Sequence, residues 1–377
     1  MRDAVPRREF LSRAATGLMA TPLLWTHPVG SARGQEQPKF TWHDVRDWGV
    51  EGKGWQETAR YFDRLPAKAE SLVRPPVWNL SRHSAGMVAH FRTNAREIWI
   101  HHKVTSPSLA MPHMPATGVS GVDLYARDDA GQLRWLAVSR PSAQEMQTRL
   151  IADLIPGERD FAVYLPLYNG TEFLKIGVPD GGTFTPIPPR AEKPLLFYGT
   201  SITHGACASR PGMPHPAILG RRLNRPVINL GFSGNGKMEP EVGALLAELD
   251  PAVYVLDCLP NMVEKEVAER AEPLVRQLRE AHPRTPILLV EDRTYANTPF
   301  LKSHQMRHAG SRAALRQAFQ NLKSAGVEGV HYLAGEVLLG EDRDDTTDGS
   351  HPSDLGFMRH ADAFEPILKP LIAQETR

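Results

Sequence analysis

Near residue 190 the hydrophobic pattern changes from alternating to blocky, and this switch constrains the fold more than any other feature. "PLLFYGT", "PVINLGF", "AVYVLDCL", "PILLVED" and "GVHYLAG" are short unbroken apolar runs, as expected of strands covered on both faces. Between them, "EPEVGALLAEL", "EVAERAEPLVRQLREAH" and "SRAALRQAFQNLKSAG" carry apolar residues at helical spacing. Alternation of strand and helix predicts an α/β domain, a parallel sheet between helices, over 190–377. Earlier, from about Phe40 to Pro188, the period is two. "GMVAHFRTN" and "REIWIHHKVTS" alternate, and two hairpins are predicted, one turning at Asp128–Gly131 and one at Asn169–Gly170. That spacing predicts an antiparallel β-sandwich over 40–185. The stretch "PDGGTFTPIPPRAEKP" reads as the linker between the two.

The first residues carry a different message. Arg7 and Arg8 precede Phe10 and Leu11, then come a short apolar run and "GSA" at 30–32. Arginine pair, apolar run and small-residue site in that order read as a twin-arginine-type export signal over 1–32. The expected location is therefore periplasmic or extracellular. The apolar run is short for a membrane span, and no integral membrane segment is expected in the mature chain. Lys+Arg of 44 against Asp+Glu of 43 leaves no basic excess for a nucleic-acid partner. Nothing in the pattern fixes the number of subunits.

In open parallel sheets, sites form beyond the carboxyl ends of the strands. Ser201, Gly234, Asn261 and Glu291 each lie at or just past such an end, and "DGSHPSD" follows the last strand. Acyl transfer needs a hydroxyl nucleophile, a base, an acid that orients the base, and N–H donors for the oxyanion. Ser201 supplies the hydroxyl, His351 the base and Asp348, three residues earlier, the orienting carboxylate. Gly234 and Asn261 are candidate donors.

These blocks, "GTSITHG", "NLGFSGNG", "DCLPNM" and "DGSHP", resemble those of the SGNH (GDSL-like) hydrolases over residues 190–377. The resemblance implies a flavodoxin-like hydrolase domain with Ser201 as nucleophile and Asp348 and His351 completing a triad. It also implies an oxyanion hole built from the Ser201 N–H, the Gly234 N–H and the Asn261 side chain, with no cofactor. The preceding sandwich is similar to the accessory domain of carbohydrate-directed esterases in that family. An acylated, chiefly acetylated, saccharide is the implied substrate. A lipase, thioesterase or arylesterase of the same fold stays open, as does a carbohydrate-binding protein with an inactive hydrolase half. Two positions depart from the family pattern: Thr200 stands where Asp is usual, and Leu-Pro-Asn-Met surrounds Asn261.

Other residues compete for roles. Ser201 is also a natural helix cap. Ser233 is a second strand-to-turn serine, and His204 is a rival base without an evident orienting acid. Arg210, Glu291 and Arg293 are candidate substrate contacts. Cys207 and Cys258 either pair or pack as free thiols; two cysteines exclude a four-cysteine zinc site. No H-E-x-x-H is present, and His101 and His102 point to opposite faces of a strand, so no metal site is indicated. All seven tryptophans fall in the first 135 residues, as core of the sandwich or as a platform for sugar rings.

Overall fold

The computed structural model describes residues 39–375; the export signal read over 1–32 lies outside the described residues. The first nine strands are β1 (Phe40–Asp44), β2 (Val88–Thr93), β3 (Ile98–Val104), β4 (Asp123–Arg127), β5 (Leu133–Val138), β6 (Glu145–Ile151), β7 (Arg159–Tyr164), β8 (Thr171–Pro179) and β9 (Phe184–Ile187). They form two antiparallel sheets, ordered β1-β8-β3-β6 and β5-β4-β7-β2-β9. Period-two patterning decides what faces inward: Ile98, Ile100, Leu174 and Ile176 of one sheet meet Phe91, Leu124, Phe161 and Val163 of the other.

The hairpin at Asp128–Gly131 forms between β4 and β5, with Asp128 Oδ1 accepting the N–H groups of Ala130 and Gln132. The one expected at Asn169–Gly170 does not. Strands β7 and β8 belong to opposite sheets, and the chain between them is a crossover. The Asn169 side chain donates to Ser106 O (2.9 Å) and Ser120 Oγ (3.1 Å) and accepts from Ser106 N. A Cβ on Gly170 would stand 2.5 Å from Arg82 O. The Asn-Gly pair fastens neighbouring loops instead of closing a two-residue turn.

Residues 45–84 contain no sandwich strand. They hold a helix, α1 (Pro75–Ser81); a second short helix, α2 (Ala116–Val119), precedes β4. Trp55, Leu65, Val73, Val77 and Trp78 pack with Leu196, Tyr198, Leu230 and Leu256 of the parallel sheet. Trp55 and Trp78, placed with the sandwich from their position in the chain, thus belong to the core of the second half. Trp135 is 48% exposed and serves neither core.

The parallel sheet comprises β10 (Leu195–Gly199), β11 (Val227–Gly231), β12 (Val253–Asp257), β13 (Ile287–Val290) and β14 (Val330–Leu333), ordered β11-β10-β12-β13-β14. This is the doubly wound, flavodoxin-like order, whose topological switch lies beside the first strand. The helices are α3 (Ser201–His204), α4 (His215–Arg222), α5 (Pro240–Leu246), α6 (Glu264–Ala281), α7 (Lys302–Ser324) and α8 (Asp354–Glu375). Alternate residues of β10 serve the two faces. Leu195 and Phe197 pack with Leu219 of α4 and Phe364 of α8. Leu196 and Tyr198 pack with Val242 of α5, Leu274 of α6 and Leu315 of α7. Burying each such side chain contributes about 1.5–3 kcal/mol, which is why strands covered on both faces carry unbroken apolar runs. Among the described residues no helix is long and apolar enough to cross a membrane.

Candidate active site

Strand β10 ends at Gly199, and the chain turns directly into α3. The cap of α3 is Thr200, whose side chain accepts the N–H of Ile202. Ser201 is therefore not needed as the cap, and its hydroxyl points elsewhere. Ser201 Oγ lies 2.8 Å from His351 Nε2, and His351 Nδ1 lies 2.7 Å from Asp348 Oδ2. An ionised carboxylate only accepts, so Nδ1 carries the proton and Nε2 is left to accept from the serine hydroxyl. Asp348 Oδ1 also accepts the main-chain N–H groups of Ser350 (3.0 Å) and His351 (2.7 Å). Burial acts to raise the Asp348 pKa, yet these hydrogen bonds win and hold it at about 2. The carboxylate stays charged across the neutral range.

Arg293 fixes the loop that carries this pair. It is 2% exposed, its Nε donates to Ser350 O (2.7 Å), its Nη2 to Ser350 Oγ (2.5 Å) and its Nη1 to Asp292 (2.6 Å). That engages the guanidinium with the loop that carries Asp348 and His351. Glu291 is engaged within the protein likewise. It is fully buried and accepts from Arg316 Nε, Tyr332 OH and Gly335 N, tying β13 to α7 and β14. Arg210 donates to Asp123 Oδ2 (2.9 Å) and to the Tyr125 hydroxyl, and lies over the Trp135 ring. It joins the sandwich to the loop after Ser201, so the Trp135 surface is partly taken by protein.

Gly234 has φ +69°, and an added Cβ would meet nothing within 4 Å among the described residues. Its backbone turn, not crowding, calls for glycine. Asn261 closes a short 3-10 turn after β12, and its Oδ1 accepts the N–H of Gly236 (3.2 Å). That bond fixes which end of the amide is the acceptor and leaves the NH2 end as a donor. Gly236 itself packs on the end of β10, where a Cβ would lie 2.0 Å from Gly199 O. His204 is fully buried, with Nε2 2.7 Å from Leu167 O. Cys207 and Cys258 are free and buried.

The sequence reading missed the residues that reach this rim from the first half. Asp123 is fully buried in β4 and accepts from Arg210, Gly212 N and Trp135 Nε1. An aspartate opening the strand just ahead of Leu124 and Tyr125 was the available signal. Tyr168, in the β7–β8 crossover, donates to Ser201 O (3.3 Å) and stacks on His204. Arg64 is buried to 1% exposure and donates to His83 O, Leu80 O, Asn229 O and Gly231 O, the last two on β11 just before Gly234.

Below the serine, Asp257 is buried at the end of β12 and accepts from Thr203 Oγ1 of α3 (3.1 Å). Burial pushes its pKa up to about 7, with Arg293 offsetting this only in part. A folded-state pKa above the unfolded value means stability that is complete below about pH 4 and is lost as pH rises through about 7. Asp257→Asn is expected to stabilise the fold at pH 8 by on the order of a few kcal/mol and to change little at pH 4. Thermal unfolding at both pH values checks this; an equal effect at the two would refute it.

The fold and its two halves define the class of this protein. Residues 192–369 match the GDSL-like lipase/acylhydrolase family, and residues 40–184 match the family described as GxDLY, the N-terminus of SGNH-hydrolase-type esterases. The chain belongs to the GDSL-like, SGNH-type hydrolases. It is similar to a solved structure from Bacteroides ovatus described as a GDSL-like lipase, with 31% identity and a TM-score of 0.85, covering 89% of this chain and 98% of that one. A salicylyl-acyltransferase of a tetracycline biosynthetic pathway shares the fold at 19% identity and a TM-score of 0.69, covering 91% and 98%. A family two carbohydrate esterase from Cellvibrio japonicus does so at 13% and 0.57, covering 89% and 99%. No curated protein matches the chain. The Gly-x-Asp-Leu-Tyr pattern is here Gly121–Tyr125, whose Asp123 and Tyr125 hold Arg210 in the loop after Ser201.

Proposed function

We propose that the protein is an exported serine esterase that removes small acyl groups, chiefly acetyl, from saccharides. The observation that carries this reading is the continuous hydrogen-bonded chain Ser201–His351–Asp348 on the rim of the parallel sheet. In this mechanism Ser201 Oγ attacks the ester carbonyl carbon as His351 Nε2 takes its proton. Asp348 holds the resulting imidazolium. The N–H groups of Ser201 and Gly234 and the Asn261 amide receive the charge on the carbonyl oxygen. His351 then gives its proton to the departing sugar oxygen, which leaves as a hydroxyl, and an acetyl-serine remains. A water deprotonated by His351 attacks that ester, and its collapse returns the proton to Ser201 and releases acetate.

The saccharide half of the reading draws on the solved carbohydrate esterases that share the fold and on the sandwich beside the rim. The export half draws on Arg7, Arg8 and the run that follows them. Rates on an acetylated xylo-oligosaccharide, p-nitrophenyl acetate and p-nitrophenyl octanoate test the substrate class. We expect kcat/KM for the acetylated sugar to exceed that for the octanoate by about 10-fold or more. A preference for octanoate moves the protein to the lipase reading; no turnover of any ester leaves a carbohydrate-binding role.

A further inference from the structure

One well-walled cavity among the described residues is not lined by the serine. A cavity of about 360 Å³ lies between the β5-β4-β7-β2-β9 sheet, α4 and the turn before β11. Val227, one of its walls, pairs with Leu195 at the start of β10, whereas Ser201 follows the end of that strand. Cavity and serine are therefore at opposite ends of the parallel sheet. The volume falls within the range of small-molecule sites, roughly 300–1,000 Å³.

Its chemistry is two-sided. Val88, Tyr164 and Ala217 give it an apolar wall. Arg127, Arg190, Arg221 and Arg225 face two carboxylates, Glu51 and Asp160. Both carboxylates are already engaged. Glu51 accepts from Arg190 Nε (2.6 Å) and Nη2 (2.8 Å), and burial notwithstanding these bonds hold its pKa at about 2. Asp160 accepts from Arg92 (2.6 Å) and has Arg127 at 3.8 Å. Arg221 differs. Its guanidinium lies over the rings of Tyr125 (4.3 Å) and Tyr164 (5.4 Å), and its Nη1 is buried without a hydrogen-bond partner among the described residues. A buried N–H of a cation without an acceptor is unfavourable, and a ring face only partly replaces an anion.

We propose that this cavity is a binding site for a small organic monoanion, a carboxylate on an apolar, preferably aromatic, body. The carboxylate would pair with the side of the Arg221 guanidinium that lines the cavity, a planar donor edge suited to two-oxygen acceptors. The body would lie against Val88, Tyr164 and Ala217. Glu51 and Asp160 oppose a more highly charged guest, which favours a monoanion over phosphate.

Isothermal titration of the full chain with benzoate tests this. The expected result is one benzoate per chain, unchanged in Ser201→Ala, which separates the site from the serine. Binding should weaken by about 10-fold or more in Arg221→Gln, the loss expected for a charge-assisted bidentate contact. Ala217→Phe, which fills the cavity and leaves every charge in place, should abolish it, so the proposal does not depend on how Arg221→Gln folds. No heat with benzoate, equal affinity in both cavity variants, or tighter binding of inorganic phosphate than of benzoate would each overturn it.

Discussion

Ser201→Ala is expected to lower kcat on p-nitrophenyl acetate by roughly 10⁴- to 10⁶-fold while leaving the fold intact. Ser201 is buried to 7% exposure, but its hydroxyl hydrogen bond goes to His351. Helix α3 keeps its cap because Thr200 provides it. Removing the oxygen would therefore delete the proposed nucleophile without loosening the turn. What activity remains would come from the N–H donors and His351 acting on water directly. His351→Ala should cost about as much, and the double variant little more than either, because the residues act as one unit. Circular dichroism and steady-state rates decide it. A variant that turns over at the wild-type rate would remove Ser201 from the chemistry.

Arg64→Ala carries the largest expected effect on stability, a loss of roughly 3–5 kcal/mol. Four main-chain carbonyls, from Leu80, His83, Asn229 and Gly231, accept from this one guanidinium inside the protein. Burial pushes its pKa down to about 9, yet it remains a cation at neutral pH. Alanine would strand those oxygens away from water and open a void beside Phe232. Arg64→Lys keeps the charge but not the planar fork, and should fall between the two. Urea unfolding measures the ordering. Below the unfolding transition, kcat should also fall while KM holds, since Gly231 leads into Gly234. A change in unfolding free energy under about 1 kcal/mol for the alanine variant would contradict this account.

Much of the fold was readable because each buried strand leaves a local mark. The five runs from Leu195 to Leu333 are predominantly apolar since helices cover both faces. Asp348 and His351 were readable as a pair because they are three residues apart, and their contact is made within one loop. The partners of the charged residues near the rim were not legible, for the opposite reason. Arg210, Glu291 and Arg293 find their partners at Asp123, Tyr332 and Ser350, far away in sequence, and no local pattern announces a distant acceptor. Asn169–Gly170 has the composition of a tight turn, but Ser106 and Ser120 claim its side chain. Arg64 lies in a stretch without a local signal, and only the folded chain brings it to the carbonyls of β11.

The interleaving of residues 55–78 with the parallel sheet bears on how such a protein can be cut and recombined. A fragment beginning after the proline-rich stretch would keep every block of the hydrolase pattern, yet lose Trp55, Leu65, Val77 and Trp78 from beneath Leu230 and Leu256. It would also lose Asp123 and Tyr168 from around the serine turn. The catalytic half is thus not a portable cassette. Any chimera that swaps the front half must carry over a matching set of apolar plugs and the aspartate that grips the loop after Ser201.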